Sequence, residues 1–376
     1  MKVDSVLFLT YHFPPEVGGI QTRIAGYLSE LSRRGIKSTV LIVGHSAKSG
    51  RTYDLRKSTL PLPSTMVKLV ECEGGIRGVF PAATRVLITV GSGRADVVHV
   101  FTGAATLLGV LTLLLGRLAG RPSTMSVFGR EDISQARWFD GYLFGLAGTL
   151  ATSISTNSAS TGSLLPPKFR RKSRVLLGGS AVPLQHEGPS PERKSVLFVG
   201  RLVKRKGLDD LLKAFAIAKT AVPEATLVIV GDGPEREDLV RQAKDLGIAD
   251  SVHFRGTLLG QTLASEYEKC TLCVLPSKVV PDDKATEGLG LALVEASMHG
   301  KPLVGTDHGG ISEIIKDRVN GFIVPQGDTK KLSDALGSLL RDDELAGMMG
   351  TNSLRIARSQ FTMQAATDRL LESYAS

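Results

Sequence analysis

The sequence predicts an α/β protein of two doubly wound domains, and three observations carry that prediction. Short apolar runs alternate with stretches of helical period through both halves of the chain. A polar, proline-bearing break, His186-Glu187-Gly188-Pro189-Ser190-Pro191-Glu192, separates the halves. The chain has 376 residues, 42% of them apolar, which is ample for two cores. The expected division is a first domain over residues 1–186, a second over 187–360 and a final helix over 361–376.

In the first half, Val6–Leu9 reads as a strand. Ile20, Ile24, Leu28 and Leu31 then form one helical stripe, which Gly35 ends, and Thr39–Val43 is the next strand. This βαβ unit places the loop from Tyr11 to Gly19 at the carboxyl end of its first strand. Further strands are expected at Val67–Val70, Val97–Phe101 and Ser123–Val127. An uncharged, largely apolar run between Asp96 and Arg117 divides into a buried strand at Val97–Phe101 and a buried helix at Ala104–Leu115. It barely reaches the length of a membrane span, and a core strand and helix explain it better. The second half repeats the alternation, with strands at Ser195–Val199, Ala225–Val230, Ser251–Phe254, Thr271–Leu275, Lys301–Val304 and Gly321–Val324.

The three cysteines, Cys72, Cys270 and Cys273, are too few and too odd in number for a disulfide framework and fit a reducing compartment. Cys270 and Cys273 have the spacing of a metal or redox pair, but a strand sends residues three apart to opposite faces, and no second pair completes a zinc site. Both are expected to be structural. Met1-Lys2-Val3-Asp4-Ser5 leads straight into a strand without the regions of a signal peptide, so a cytoplasmic location is expected.

Charge is divided unevenly. Residues 1–186 hold 22 Lys and Arg against 10 Asp and Glu, a surplus of +12, and residues 187–376 hold 24 against 27, or −3, which together give the chain's +9. A basic first domain would attract anionic lipid, a phosphorylated acceptor or nucleic acid. Nucleic acid is disfavoured: aromatics are only 5%, and Arg170-Arg171-Lys172 has no aromatic neighbour beyond Phe169. Arg33-Arg34 with Lys37, and Arg170-Arg171-Lys172 with Arg174, are candidates for peripheral contact with an anionic membrane, and a merely solvated basic surface is the other reading.

Two motifs carry the chemistry. In Glu287-Gly288-Leu289-Gly290-Leu291-Ala292-Leu293-Val294-Glu295, a glycine turn leads into a helix, so free N–H groups and a partial positive charge face whatever the turn encloses. Glu287 before the turn and Glu295 within the helix could grip two ends of a ligand such as a sugar nucleotide. A lone helical glutamate is more often merely solvated. Upstream, Gly200-Arg201-Leu202-Val203-Lys204-Arg205-Lys206-Gly207 follows the strand Ser195–Val199 and precedes a helical stripe of Leu208, Leu211, Leu212 and Phe215. Its cations lie at a strand's carboxyl end, where open α/β sheets bind ligands, and Arg201 and Lys206 suit a diphosphate.

Together with Val230-Gly231-Asp232-Gly233-Pro234, Gly309-Gly310 and Glu313, and with Pro14-Pro15-Glu16-Val17-Gly18-Gly19-Ile20-Gln21 near the start, these motifs resemble the retaining GT-B glycosyltransferases of the glycogen-synthase-like class, also called glycosyl transferases group 1. The likeness runs from about Val6 to about Phe361, and it is closest to the phosphatidylinositol mannosyltransferase-like branch. The resemblance implies two Rossmann-like domains facing across a cleft, with the C-terminal helix crossing back to the first. It implies transfer of a hexose-type sugar from a UDP- or GDP-sugar to an acceptor hydroxyl, with retention. The catalytic residues it implies are Arg201, Lys206 and Glu287. Arg201 and Lys206, the amides around Gly288, Leu289, Gly290 and Leu291, and Gly18-Gly19 would contact the diphosphate. Glu287 would hold sugar hydroxyls, Glu295 the ribose, and the stretch Arg255–Leu258, including Thr257 and Leu258, would meet the base with Gly231 opposite. His12, Arg130 and Asp132 would line the acceptor side.

No Asp-x-Asp occurs in the chain, which agrees with charge neutralisation by side chains, without a metal or other cofactor. In one respect the chain departs from the pattern. Many relatives carry a histidine after the strand matching Ser123–Val127, and here Phe128 takes that place, so no catalytic histidine is carried over. The acceptor is expected to be lipid or lipid-linked, with a soluble anionic acceptor as the alternative. A sugar-nucleotide epimerase of the same fold is the rival of another class. A dinucleotide oxidoreductase ranks lower, because the first strand is followed by Tyr11-His12-Phe13-Pro14-Pro15 and not by Gly-x-Gly-x-x-Gly.

Overall fold

A computed structural model of the chain describes residues 2–14, 18–45, 65–72, 76–92, 95–133, 138–179, 194–281, 283 and 286–375. It divides into two compact units: Met1–Gly179 with Met363–Ser376, and Ser180–Thr362. The proline-bearing break at His186–Glu192 lies outside the described residues.

The first unit holds a parallel sheet of seven strands: β1 Ser5–Thr10, β2 Lys37–His45, β3 Thr65–Cys72, β4 Val97–Val100, β5 Ser123–Val127, β6 Ser153–Thr156 and β7 Ser173–Val175, in the order β3-β2-β1-β4-β5-β6-β7. The second holds six: β8 Ser195–Val199, β9 Thr226–Val230, β10 Val252–Gly256, β11 Leu272–Leu275, β12 Leu303–Thr306 and β13 Gly321–Val324, in the order β10-β9-β8-β11-β12-β13. Both are Rossmann-like. Each sheet reverses its strand order beside its first strand, between β1 and β4 and between β8 and β11, and the crevice at that reversal is where such folds bind ligands.

Strand alternation builds a core on each face of the first sheet. Leu7, Leu9, Leu41, Val98 and Val100 pack with residues of the helices Ile76–Gly91, Leu107–Leu118 and Trp138–Leu150. Val6, Phe8, Val40, Ile42 and Phe101 pack with the helix Gly19–Arg33 and the last helix, Met363–Tyr374. That last helix is seated on the first unit by named contacts. The Tyr374 hydroxyl lies 2.7 Å from His99 Nδ1, and a Cβ on Gly26 would come within 2.7 Å of the Met363 sulfur. His99 is fully buried, and burial, with the charge of Arg23, lowers its pKa to about 3, so its ring stays neutral.

Some expectations needed correction. The helix expected at Ala104–Leu115 runs from Leu107 to Leu118, capped by the Thr106 side chain on the Gly109 amide. β6 and β7 were not foreseen: their sequences, Ser-Ile-Ser-Thr and Ser-Arg-Val, are short and largely polar. The basic clusters are less free than their charge suggests. Arg33 and Arg34 both pair with Glu30, and Arg34 also pairs with Asp368. Arg170 donates to the carbonyls of Leu165 and Ser163, and Lys172 donates to that of Ala151. Cys270 and Cys273 are buried free thiols, and burial pushes Cys270 up to about 12 and Cys273 well above its ordinary value, so neither is a thiolate near neutral pH.

Candidate active site

The second unit gathers its motif residues at the carboxyl ends of β8, β9, β11 and β12. The loop after β8 is fixed against the loop after β9: Gly200 N donates to Val230 O at 3.0 Å, and Leu202 N to Asp232 O at 3.0 Å. Gly231, at φ 132°, makes this crossing possible, since a Cβ there would sit 1.9 Å from Gly200 O. The amide of Gly231 donates to Gly256 O at 2.8 Å, so the segment leading to Thr257 and Leu258 lies against Gly231. Arg201 is exposed, with no ion pair to any described carboxylate.

Lys204–Lys206 forms a single 3₁₀ turn closed by Gly207. That turn carries Lys206 inward. Its ammonium lies 2.6 Å from Glu287 Oε2, and the Ser277 hydroxyl donates to the same oxygen at 2.8 Å. Burial works to raise the Glu287 pKa, but the charge and hydrogen bond of Lys206, the Ser277 hydroxyl and Arg205 together outweigh it and hold the carboxylate below its ordinary range. The backbone of Glu287 is clamped from β12. Gly310 N donates to Glu287 O at 3.1 Å, and a Cβ at Gly309 would lie 1.9 Å from that same oxygen. His308, buried and with its pKa lowered chiefly by burial, faces the Glu287 amide with Nε2 at 3.5 Å.

Gly288, Leu289 and Gly290 turn into the helix Leu291–Met298, with Gly290 in the left-handed region at φ 85°. Glu295, in this helix, is buried and accepts from the Tyr267 hydroxyl at 2.7 Å. Burial raises its pKa to about 7, against the smaller lowering effect of the Tyr267 hydrogen bond. Tyr267 in turn stacks on His299, with ring centroids 5.4 Å apart.

In the first unit, Thr102 at the end of β4 joins the loop after β1: its hydroxyl accepts from Tyr11 N at 2.7 Å and lies 3.0 Å from Thr10 Oγ1, which donates to His12 O at 2.8 Å. Gly18 and Gly19 open the helix Gly19–Arg33. Asp132, expected on the acceptor side, accepts from Phe128 N at 2.7 Å and so holds the backbone there. Arg130 begins the short helix Arg130–Ile133, and its side chain lies outside the described residues. Phe128 is a core residue, its ring 4.9 Å from that of Phe101.

Sequence reading missed Ser277, His308 and Tyr267, which meet the two glutamates from 10, 21 and 28 residues away along the chain. It also missed Arg23, a buried guanidinium that donates to Leu176 O and the Tyr27 hydroxyl and lies 5.5 Å from the centre of the Phe128 ring. Periodicity alone marks Arg23 only as a polar position near the start of a helix.

Two Rossmann-like parallel sheets, with the C-terminal helix returned to the first, define a GT-B protein. The sequence model described as Glycosyl transferases group 1 matches residues 184–355, and over that stretch the chain carries the pattern of that family of glycosyltransferases. The GDP-mannose-dependent alpha-(1-6)-phosphatidylinositol monomannoside mannosyltransferase of Mycolicibacterium smegmatis is 28% identical over 397 residues, covering 98% of this chain and 97% of that protein. The 2-deoxystreptamine N-acetyl-D-glucosaminyltransferase of Streptomyces fradiae is 27% identical over 364 residues, covering 87% and 84%. Among solved structures, HepE of Anabaena in complex with UDP and glucose shares the fold with a TM-score of 0.77 at 21% identity, covering 99% of each chain.

Proposed function

We propose that the chain moves a hexose-type sugar from a nucleotide diphosphate sugar to an acceptor hydroxyl, with retention of configuration and without a metal. The observation that carries this reading is the Lys206–Glu287–Ser277 cluster at the reversal point of the second sheet, next to the amides that open the helix Leu291–Met298. Lys206 and the exposed Arg201 are the cations for the departing diphosphate, whose charge grows as the glycosidic bond breaks. Glu287, kept ionised, accepts from hydroxyls of the transferred sugar. Glu295 accepts from the ribose. The segment through Thr257 and Leu258 is the place for the base.

The acceptor is proposed to be lipid or lipid-linked. The basic first half of the chain supports this, as does the similarity to a mannosyltransferase whose name specifies a phosphatidylinositol monomannoside. Among the described residues no helix is long and apolar enough to cross a membrane.

Product analysis tests the reaction class. Incubation with UDP- and GDP-sugars should release nucleoside diphosphate faster when a lipid extract is added, with label passing to the organic phase. Conversion of donor alone into an isomerised nucleotide sugar would instead identify an epimerase. Label passing only to a water-soluble anionic product would identify the alternative acceptor.

A further inference from the structure

The segment that follows β11 is tied to the loops around it residue by residue. A Cβ on Gly207, whose φ is 67°, would come 2.0 Å from Pro276 O, so glycine lets this segment cross the Lys204–Lys206 turn. Lys278 N then donates to Arg205 O at 2.8 Å. Ser277 gives its hydroxyl to Glu287, while its carbonyl accepts from Thr306 on β12. Val279 N donates to Gln326 Oε1 at 2.9 Å. The Lys278 side chain turns to other partners. Its ammonium donates to Asp209 Oδ1 at 2.8 Å, to Asp209 Oδ2 at 2.7 Å and to Asp210 Oδ2 at 2.7 Å. These acids stand in the first turn of the helix Leu208–Ala221, just after Lys206 and Gly207. The Lys278 and Asp210 side chains are only 21% and 14% exposed, so salt and water screen their pairing weakly. Burial opposes charge on Lys278, but the hydrogen bonds and charges of Asp209 and Asp210 outweigh it and raise its pKa.

Helix formation does not account for this arrangement. Acids in a first turn already favour the helix through its N-terminal partial charge, and they need no lysine brought from another strand end. What the two acids weaken is the positive potential of the loop before them, which holds Arg201 and Lys206. The other cations of that loop are already engaged: Lys206 pairs with Glu287, and Arg205 lies 3.7 Å from Asp283. Lys278 supplies the missing counter-charge from outside the loop.

We propose that Lys278 is a positioning residue for the donor: it holds and neutralises Asp209 and Asp210, so that the loop of Arg201 and Lys206 presents a net positive charge to a diphosphate. It touches the acids and not the ligand. The inference rests on the nucleotide-sugar reading of this site. Calorimetry with UDP and GDP, and with the matching monophosphates, tests it. Lys278→Met keeps the stem and removes the charge. It should weaken binding of the diphosphate that wild type binds by about tenfold, and binding of the monophosphate by less. Adding Asp209→Asn and Asp210→Asn to Lys278→Met should return diphosphate affinity to within about threefold of wild type. A lysine that only braced the fold would weaken both nucleotides alike and show no such rescue, and that result would overturn the proposal. Should Lys278→Met fail to fold, Asp209→Asn with Asp210→Asn in the otherwise wild-type chain frees the ammonium and should leave diphosphate affinity unchanged or tighter. A loss of about tenfold there would overturn the proposal. Wild-type chain that binds neither UDP nor GDP would contradict the nucleotide-sugar reading and this inference with it. Wild-type binding that Lys278→Met leaves unaltered would remove this inference alone.

Discussion

The Lys206 ammonium sits 2.6 Å from the carboxylate of Glu287, and both side chains are largely withdrawn from solvent. The two come from the loops after β8 and β11, and Ser277, ten residues before Glu287 in the same loop, completes the cluster. Removing the lysine therefore does two things. It takes a cation from the proposed diphosphate site, and it leaves a buried carboxylate with one hydroxyl for company. Lys206→Ala is expected to lower stability by about 3 kcal/mol as well as to cut turnover by orders of magnitude. Urea unfolding and initial rates measure the two effects, and a variant of unchanged stability would show that the ion pair does not hold in solution.

Arg201 separates catalysis from stability. It is exposed and pairs with no described carboxylate, so Arg201→Ala should change stability by less than about 0.5 kcal/mol. The same substitution should lower turnover by roughly a hundredfold or more, as expected for a group aimed at developing charge. Near-normal rates would remove Arg201 from the site.

The motifs were legible in the sequence because each is local. Glu287-Gly288-Leu289-Gly290 and Gly200-Arg201 announce a strand end, a tight turn and a helix start by residue type alone. β5, β8 and β13 were read with the bounds they have; Ser195–Val199 and Gly321–Val324 are short apolar runs with polar or glycine borders, whereas β5, Ser123–Val127, is largely polar. What escaped was whatever depends on folding. Ser277 and His308 reach Glu287 from 10 and 21 residues away along the chain, and Tyr267 reaches Glu295 from 28. Nothing in their local patterns distinguishes them. Charge counting failed in the same way: it found Arg33 and Arg34 but could not see Glu30 and Asp368 closing on them.

Glu287 and Glu295 should respond to pH in opposite directions. The Glu287 pKa is lowered in the folded chain, so the stability it contributes is present above the ordinary carboxylate value and is lost as pH falls through its own lower pKa. The Glu295 pKa is raised from 4.5 to about 7. Below 4.5 it costs nothing; as pH rises toward 7 the unfolded chain ionises first, and the folded state loses up to roughly 3 kcal/mol by comparison. Glu295→Gln should therefore melt higher than wild type at pH 8 and close to it at pH 5. A melting difference that is the same at both pH values would refute the buried-carboxyl account. Glu295→Ala should chiefly weaken nucleotide affinity; a loss confined to the chemical step would contradict the ribose role.

Gly309 tests the clamp on Glu287. It has φ 60°, and an added Cβ would meet Glu287 O at 1.9 Å. Gly309→Ala must push the Glu287 loop aside, at a cost of about 2 kcal/mol or more. Donor affinity should fall with it. Unchanged donor affinity in Gly309→Ala would show that the placement of Glu287 does not matter to binding.

Metal independence follows from the proposed use of Arg201, Lys206 and helix amides in place of a divalent ion. Turnover should persist in EDTA. Complete loss, restored by added magnesium or manganese, would require a metal on the diphosphate.

The central claim is that a nucleotide diphosphate sugar binds where Lys206 and Glu287 meet, and a thermal-shift panel of UDP-, GDP- and ADP-sugars tests it most directly. A ligand that binds only the folded chain raises its melting temperature, by an amount equivalent to about 2.7 kcal/mol at a hundred times its dissociation constant. At least one member of the panel should raise the melting temperature of the wild-type chain, and the rise should be lost or strongly reduced in Lys206→Ala measured against its own unliganded baseline. An equal rise in both proteins, or none with any sugar nucleotide, would contradict the account.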